Sequence, residues 1–313
     1  MKSLKNLQNK NWNIELNKTQ YDAQITRKNP SAILFLIDQS QSMAFAEHKQ
    51  IYKGQEKTFA QIVADMINDM LSELIGRCTK AEGIRDYFDV CVLGYGGKSS
   101  SSANTLWEGN LAGKDWVSIS ELKSNAKYEK RTETKTIRGK KKTSEVNVPY
   151  WFQAVANYQT PMGAAFEKAY NLLHDWILDK SNKDSYPPVV INITDGLYSD
   201  YSEQQMIDIA HKIQSLNTKD GHVLLLNCHI STENDSVIFP LSIDELPEDN
   251  YAKRLYEMSS IMPHVFAKDI SQFRKDADIL SNYRGMAFNS SIDMMFNLID
   301  IGTSGATQHL SNA

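Results

Sequence analysis

Five oxygen-bearing side chains stand where apolar runs of this sequence stop. The run Ala32–Ile37 gives way to Asp38-Gln39-Ser40-Gln41-Ser42, which spaces one carboxylate and two hydroxyls two residues apart. Oxygen ligands at that spacing can turn toward a common point. Thr160, in Gln159-Thr160-Pro161, precedes a helical pattern from Met162, and Asp195 closes the run Val189–Thr194. Sites in open α/β sheets lie beyond the carboxyl ends of strands, so these positions carry the chemistry if any do. An oxygen-only set selects a hard cation. A small cage that keeps water positions open suits Mg²⁺ best, with Mn²⁺ or Ca²⁺ as substitutes.

The elements that must position these residues are legible from apolar spacing. Ala32–Ile37 is a continuous apolar run of strand length, the pattern of a parallel strand covered on both faces, and Tyr87–Leu93, Val189–Thr194 and Val223–Ile230 also read as strands. Between Thr58 and Cys78 apolar residues recur at three- and four-residue steps, which predicts a long amphipathic helix. The same periodicity predicts helices over Met162–Leu178, around Met206–Ile213, and over Tyr251–Ser259, Ile270–Leu280 and Ser291–Ile299. An edge strand is expected over Asn104–Leu111 and a short strand at Val265-Phe266. This alternation implies an α/β fold: a single doubly wound, mostly parallel sheet with helices on both faces.

Composition bounds the rest. The chain has 313 residues, 41% apolar and 23% charged, with 34 basic against 38 acidic side chains and a net charge of -4. These values fit a soluble globular protein and disfavour a dedicated polyanion binder. Cys78, Cys91 and Cys228 are far apart and lack CxxC spacing, so they read as buried reduced thiols. No signal-like segment or stretch of about 18 consecutive apolar residues occurs, and a cytoplasmic location without membrane contact is expected. The expected organisation is a polar arm over 1–30, a single domain over 31–303 and a flexible tail over 304–313.

The DxSxS string at Asp38, with Thr160 and Asp195 in order, resembles the metal-ion-dependent adhesion site of the von Willebrand factor A family. The resemblance spans Ala32 to Phe266. Thr160-Pro161-Met162-Gly163 and Asp300-Ile301-Gly302-Thr303 further resemble its cytosolic bacterial, TerY-like branch. The resemblance implies that Ser40, Ser42 and Thr160 bind the ion directly or through water, with Asp38 and Asp195 acting directly or one layer further out. It implies a binding module, not an enzyme, in which an Asp or Glu of a protein partner completes the ion's shell. It also points to kinase- or phosphatase-like partners in bacterial stress-response or phage-defence systems. The sequence departs from the family pattern at Gln41, and at Tyr158 and Gln159, where many members carry glycine.

Each residue also has a plain structural use. Ser40 and Ser42 could cap the following segment, and Asp195 could form a turn before Gly196. It is the combination of five that favours a metal site. Gly96-Gly97-Lys98-Ser99 is rejected as a phosphate loop because the required first glycine would fall at Val92. Aspartyl-phosphate chemistry of the haloacid dehalogenase kind needs a second Asp where Ser40 stands. Neither GxSxG nor HExxH occurs. His229, at a strand end, could lie near the rim, but a satisfied structural histidine is the plainer reading. Lys127, Lys130, Arg131, Lys135, Arg138 and Lys140–Lys142 make a strongly basic segment, read as an inserted hairpin over about 118–150. A solvated face is the plain reading, then a docking arm, then a nucleic-acid contact through 123–142. A metal-dependent hydrolase is a further alternative, without an evident general base.

Overall fold

The computed structural model describes residues 21–137, 140–179, 181–233, 235–274, 282–291 and 294–301, and at 133–137 and 140–142 the backbone alone. In chain order the strands are β1 (Ser31–Asp38), β2 (Gln50–Tyr52), β3 (Gln55–Lys57), β4 (Thr79–Lys80), β5 (Gly83–Ile84), β6 (Phe88–Tyr95) and β7 (Ala103–Thr105). They continue with β8 (Val117–Ser118), β9 (Lys127–Ile137), β10 (Lys140–Tyr150), β11 (Val189–Thr194), β12 (Leu224–Ile230), β13 (Val237–Ile238) and β14 (Met286–Ser290). The helices are α1 (Phe59–Arg77), α2 (Ile119–Ser124), α3 (Met162–Leu178), α4 (Glu203–Ser215), α5 (Asn250–Met258) and α6 (Ala267–Ile270). A last helical stretch covers 294–301.

The central sheet has eight strands, in the order β13-β14-β12-β11-β1-β6-β7, with β8 also paired to β6. The pairs β14–β12, β12–β11, β11–β1 and β1–β6 are parallel, whereas β13, β7 and β8 add antiparallel edges. The α/β class and mostly parallel sheet therefore agree with the sequence reading. All eight residues of β1 are buried. That follows from its central place: Ile33, Phe35 and Ile37 enter one apolar cluster with α1, while Ala32, Leu34 and Leu36 enter a second with α3, α4 and α5. Burial of each large aliphatic side chain contributes about 1.5–3 kcal/mol, so this strand is fixed in register before its polar end is considered.

Helix starts are set locally. The Thr58 hydroxyl accepts from Gln61 N at 3.3 Å, and the Gln61 side chain accepts from Thr58 N at 3.0 Å, a reciprocal cap for α1. Ser202 and Gln205 repeat the arrangement at α4. Cys78, Cys91 and Cys228 are buried and free.

Several expectations are corrected. Val265 and Phe266 belong to a 3₁₀ turn over His264–Phe266, started by Pro263, not to a strand. The place beside β12 is taken by β14, whose short run Met286-Ala287-Phe288 is broken by Asn289. The expected edge strand at 104–111 shrinks to β7, and Gly109–Leu111 forms a 3₁₀ turn instead. The helix expected over 270–280 is not borne out in its described part: α6 ends at Ile270 and 271–273 form a turn, while residues 275–280 lie outside the described residues, as do 1–20 and the tail. Within the expected arm, Tyr21 and Ile25 are fully buried, and the Tyr21 hydroxyl donates to His222 O at 3.0 Å. The inserted hairpin is present as the β9–β10 ladder, pairing Lys127 with Tyr150 through Ile137 with Lys140. Residues 117–124 ahead of it, β8 and α2, pack into the body through Val117, Ile119 and Leu122.

Candidate metal centre

Three loops meet at the carboxyl ends of β1 and β11. The loop after β1 is bound to the segment before α3 by backbone hydrogen bonds: Asn157 N donates to Gln39 O at 2.9 Å and Gln41 N donates to Tyr158 O at 2.9 Å. The loop after β11 joins through Ser199 N, which donates to Thr160 O at 2.9 Å. Thr160, 8% exposed, is thus held between the other two. The start of α3 lacks a cap of its own, and Asp200 supplies one, accepting from Gly163 N at 3.0 Å and Ala164 N at 2.8 Å.

Gly96, which follows β6, forms the floor. Its φ is +88°, and a Cβ there would stand 2.3 Å from Gln159 O and 3.0 Å from Ser40 N. Only glycine admits that approach. The glycines set aside as a phosphate loop therefore serve packing: Gly96 O accepts from Tyr158 N, and Gly97 O from Asn157 Nδ2.

The side chains connect across these loops. The Ser42 hydroxyl donates to Asp195 Oδ1 at 2.8 Å, and the Ser40 and Ser42 oxygens are 3.0 Å apart. Because the single Ser42 proton goes to Asp195, Ser40 is the donor in that second bond, and both oxygens keep an uncommitted lone pair. Asp38, fully buried, accepts from Ser40 N at 2.8 Å and from the Thr194 hydroxyl at 2.7 Å. Burial first, and then the Asp195 charge, push the Asp38 carboxyl up to about 7. Burial also raises the Asp195 carboxyl, opposed by its bond from Ser42 and by His48. Burial and mutual repulsion both disfavour ionising the pair, and a nearby positive charge would relieve that cost.

Asp195 Oδ2 makes the same point by geometry. It is buried and accepts no hydrogen bond; His48 Nδ1 lies 3.7 Å away. Among the described residues no group of three or more His, Cys, Asp and Glu side chains is arranged to hold a metal. The cluster here combines two carboxylates with hydroxyls, an oxygen set of the hard-cation kind. An orphaned carboxylate oxygen beside serine oxygens with spare lone pairs fits such an ion.

Sequence reading missed two neighbours, Thr194 and His48, and named a third, His229, as a structural histidine that could lie near the rim. Thr194 positions Asp38, and the signal was present, since it is the last strand residue before Asp195. His48 lies 3.1 Å from Ser42 O and stacks on Phe59, a contact created by a 3₁₀ turn that no apolar pattern announces. His229 was read as structural, and its Nε2 lies 3.3 Å from Asp195 O. Burial lowers its pKa, so the neutral ring is favoured. A cleft of about 630 Å³ opens beside Asp195, walled in part by His48, His229, Glu233, Tyr251 and Arg254. Gln41 and Tyr158 are exposed.

No protein-family model matches the chain, and no curated protein matches it. No helix among the described residues is long and apolar enough to cross a membrane.

Proposed function

We propose that the protein is a metal-dependent protein-interaction module. Asp38, Ser40, Ser42, Thr160 and Asp195 would hold Mg²⁺, and an Asp or Glu of a partner would complete the ion's shell. With one of the two carboxylates standing a layer back from the ion, the bound ion would keep uncancelled positive charge at the rim. The chain's own residues do the rest: Thr194 and the backbone fix Asp38, Ser42 orients Asp195, and the cleft beside Asp195 admits a partner side chain. The reading follows the resemblance of these motifs to the von Willebrand factor A family in its TerY-like form. Under that reading the partner is kinase- or phosphatase-like and acts in a bacterial stress-response or phage-defence setting in the cytoplasm.

The single observation that carries the proposal is the run of contacts from Ser40 through Ser42 to Asp195, ending in a buried carboxylate oxygen without a hydrogen-bond donor. Leaving a buried acceptor unsatisfied costs about 1–3 kcal/mol, which a cation at Asp195 Oδ2 would offset. The test is calorimetric titration of Mg²⁺ into the wild type and Asp195→Ala, followed by an acidic peptide. Saturable Mg²⁺ binding by the wild type alone, with peptide binding only after Mg²⁺, supports the reading. Equal, metal-independent behaviour of both proteins contradicts it.

A further inference from the structure

Beside Asp195, β12 and β14 do not finish in register. Cys228 pairs with Ala287, yet Ile230 pairs with Ser290, so His229 alone stands opposite both Phe288 and Asn289. The extra residue on β14 makes a bulge, and Asn289 supplies its left-handed backbone with a φ of +47°. Asparagine is one of the few residues other than glycine that adopts this conformation readily. Its side chain holds it there: Nδ2 donates to Glu233 Oε2 at 3.1 Å and to Asp235 O at 3.4 Å.

The bulge clamps the His229 ring. Asn289 N donates to His229 Nδ1 at 3.3 Å, and the Ser290 hydroxyl donates to the His229 carbonyl at 2.7 Å. The ring stacks on Phe288, with centroids 4.5 Å apart, and meets the Tyr251 ring edge-on at 5.6 Å. A backbone N–H can only donate, so Nδ1 carries a lone pair and the ring proton sits on Nε2. Nε2 therefore donates to Asp195 O, 3.3 Å away.

That last bond takes over where the sheet stops. β11 and β12 pair as far as Thr194 and His229, and Asp195 is the first residue past the ladder. The side chain of the last paired residue on β12 supplies the next bond along. Asp195 is thus held through its carbonyl from β12, while Ser42, in the loop after β1, turns its carboxylate at 2.8 Å. The strands on both sides of β11 fix one residue, and with it the direction of the buried Oδ2 that accepts no hydrogen bond.

We propose that His229 is a positioning residue of the metal centre: clamped by the Asn289 bulge, it fixes the Asp195 backbone so that the carboxylate faces the ion. The inference rests on the metal-dependent reading of the site. A histidine that serves packing alone predicts that Mg²⁺ affinity follows fold stability, whatever replaces the ring. A positioning role predicts that affinity follows the donor at the place of Nε2, because partners that orient metal ligands contribute about tenfold or more to metal affinity.

Glutamine and asparagine separate the two. Both lose the ring and its stacking on Phe288. The longer glutamine can bring its NH₂ to the place of Nε2, whereas the shorter asparagine can bring its oxygen only to the place of Nδ1. Mg²⁺ is titrated by calorimetry into the full chain as wild type, His229→Gln and His229→Asn, with urea melts of each metal-free protein. The expected result is that His229→Gln keeps the wild-type affinity and His229→Asn binds about tenfold more weakly, with similar losses of metal-free stability in the two. Long-range ¹H–¹⁵N spectra of the wild type read the tautomer directly. The His229 signals, identified by their absence from the Gln variant, should show a protonated Nε2 and a bare Nδ1. Equal weakening in both variants, unchanged affinity in both, or a ring protonated on Nδ1 overturns the positioning role and leaves the metal reading standing. No saturable Mg²⁺ binding by the wild type overturns the metal reading, and the role of His229 falls with it.

Discussion

The Ser42 hydroxyl donates to Asp195 Oδ1 at 2.8 Å, joining residues 153 positions apart. That bond orients a carboxylate at the end of one strand by a loop at the end of its neighbour. Ser42→Ala removes the bond and one oxygen of the cage together. Melting should fall by about 1 kcal/mol in stability, whereas Mg²⁺ affinity should fall at least about tenfold. Calorimetry and denaturant melts on one preparation separate the two effects; equal Mg²⁺ affinity in variant and wild type contradicts the assignment.

Asp38 stands fully buried opposite Asp195, and Asp38→Asn should reveal the strain of keeping two charges there. The amide can keep every local bond: its oxygen accepts from Ser40 N, and its NH₂ donates to Thr194. The Thr194 hydroxyl then turns to Gly196 O, 3.0 Å away. Without metal at pH 8 the variant should be more stable than the wild type by about 1 kcal/mol or more. In saturating Mg²⁺ the order should reverse, since only the wild type gains from the ion. Urea melts with and without Mg²⁺ measure both, and a less stable metal-free variant contradicts the account.

Gly96→Ala should injure the site through its floor. The added Cβ would meet the Gln159 carbonyl at a φ of +88°, so either that carbonyl or the β1 loop must move. A loss of about 2 kcal/mol or more is expected, together with loss of the Mg²⁺-induced rise in melting temperature. A variant that melts and responds to Mg²⁺ like the wild type contradicts the close approach.

Away from the site, Asp89 gives a pH dependence with a definite sign. Burial raises its carboxyl, while Trp176 Nε1, donating at 2.9 Å, opposes the shift. The folded state therefore holds this proton more tightly than the unfolded chain. Its contribution to stability grows as pH falls through the folded pKa and is complete below the unfolded value near 4. Asp89→Asn, whose oxygen can still accept from Trp176, should be more stable than the wild type at pH 8. The difference should shrink toward pH 4; a constant difference contradicts the assignment.

The five candidate residues were singled out because Asp38 and Asp195 end apolar runs and Thr160 precedes a helical pattern, and hydrophobic periodicity is the strongest signal a sequence carries. β1, β6, β11 and β12, and the helices α1, α3 and α4, were read for the same reason. β14 escaped because Asn289 interrupts its three apolar residues, and its strand character comes from pairing with β12. Val265-Phe266 looked like a strand, yet the following Ala267 is already helical, and local turn chemistry after Pro263 wins. The role of Gly96 was invisible, since it depends on the carbonyl of Gln159, far along the chain. The contact of His48 with Asp195 likewise exists only once the β1 loop has folded back onto α1.

The central claim is that Asp38, Ser40, Ser42, Thr160 and Asp195 share one divalent ion. Crystals grown with Mn²⁺ and measured at the manganese absorption edge test it most directly, because anomalous scattering locates the metal without reference to the protein. The account predicts one strong anomalous peak bounded by the Ser40 and Ser42 hydroxyls and Asp195, within reach of Thr160. A map with no peak there at saturating Mn²⁺, or with the ion held by other side chains, contradicts it.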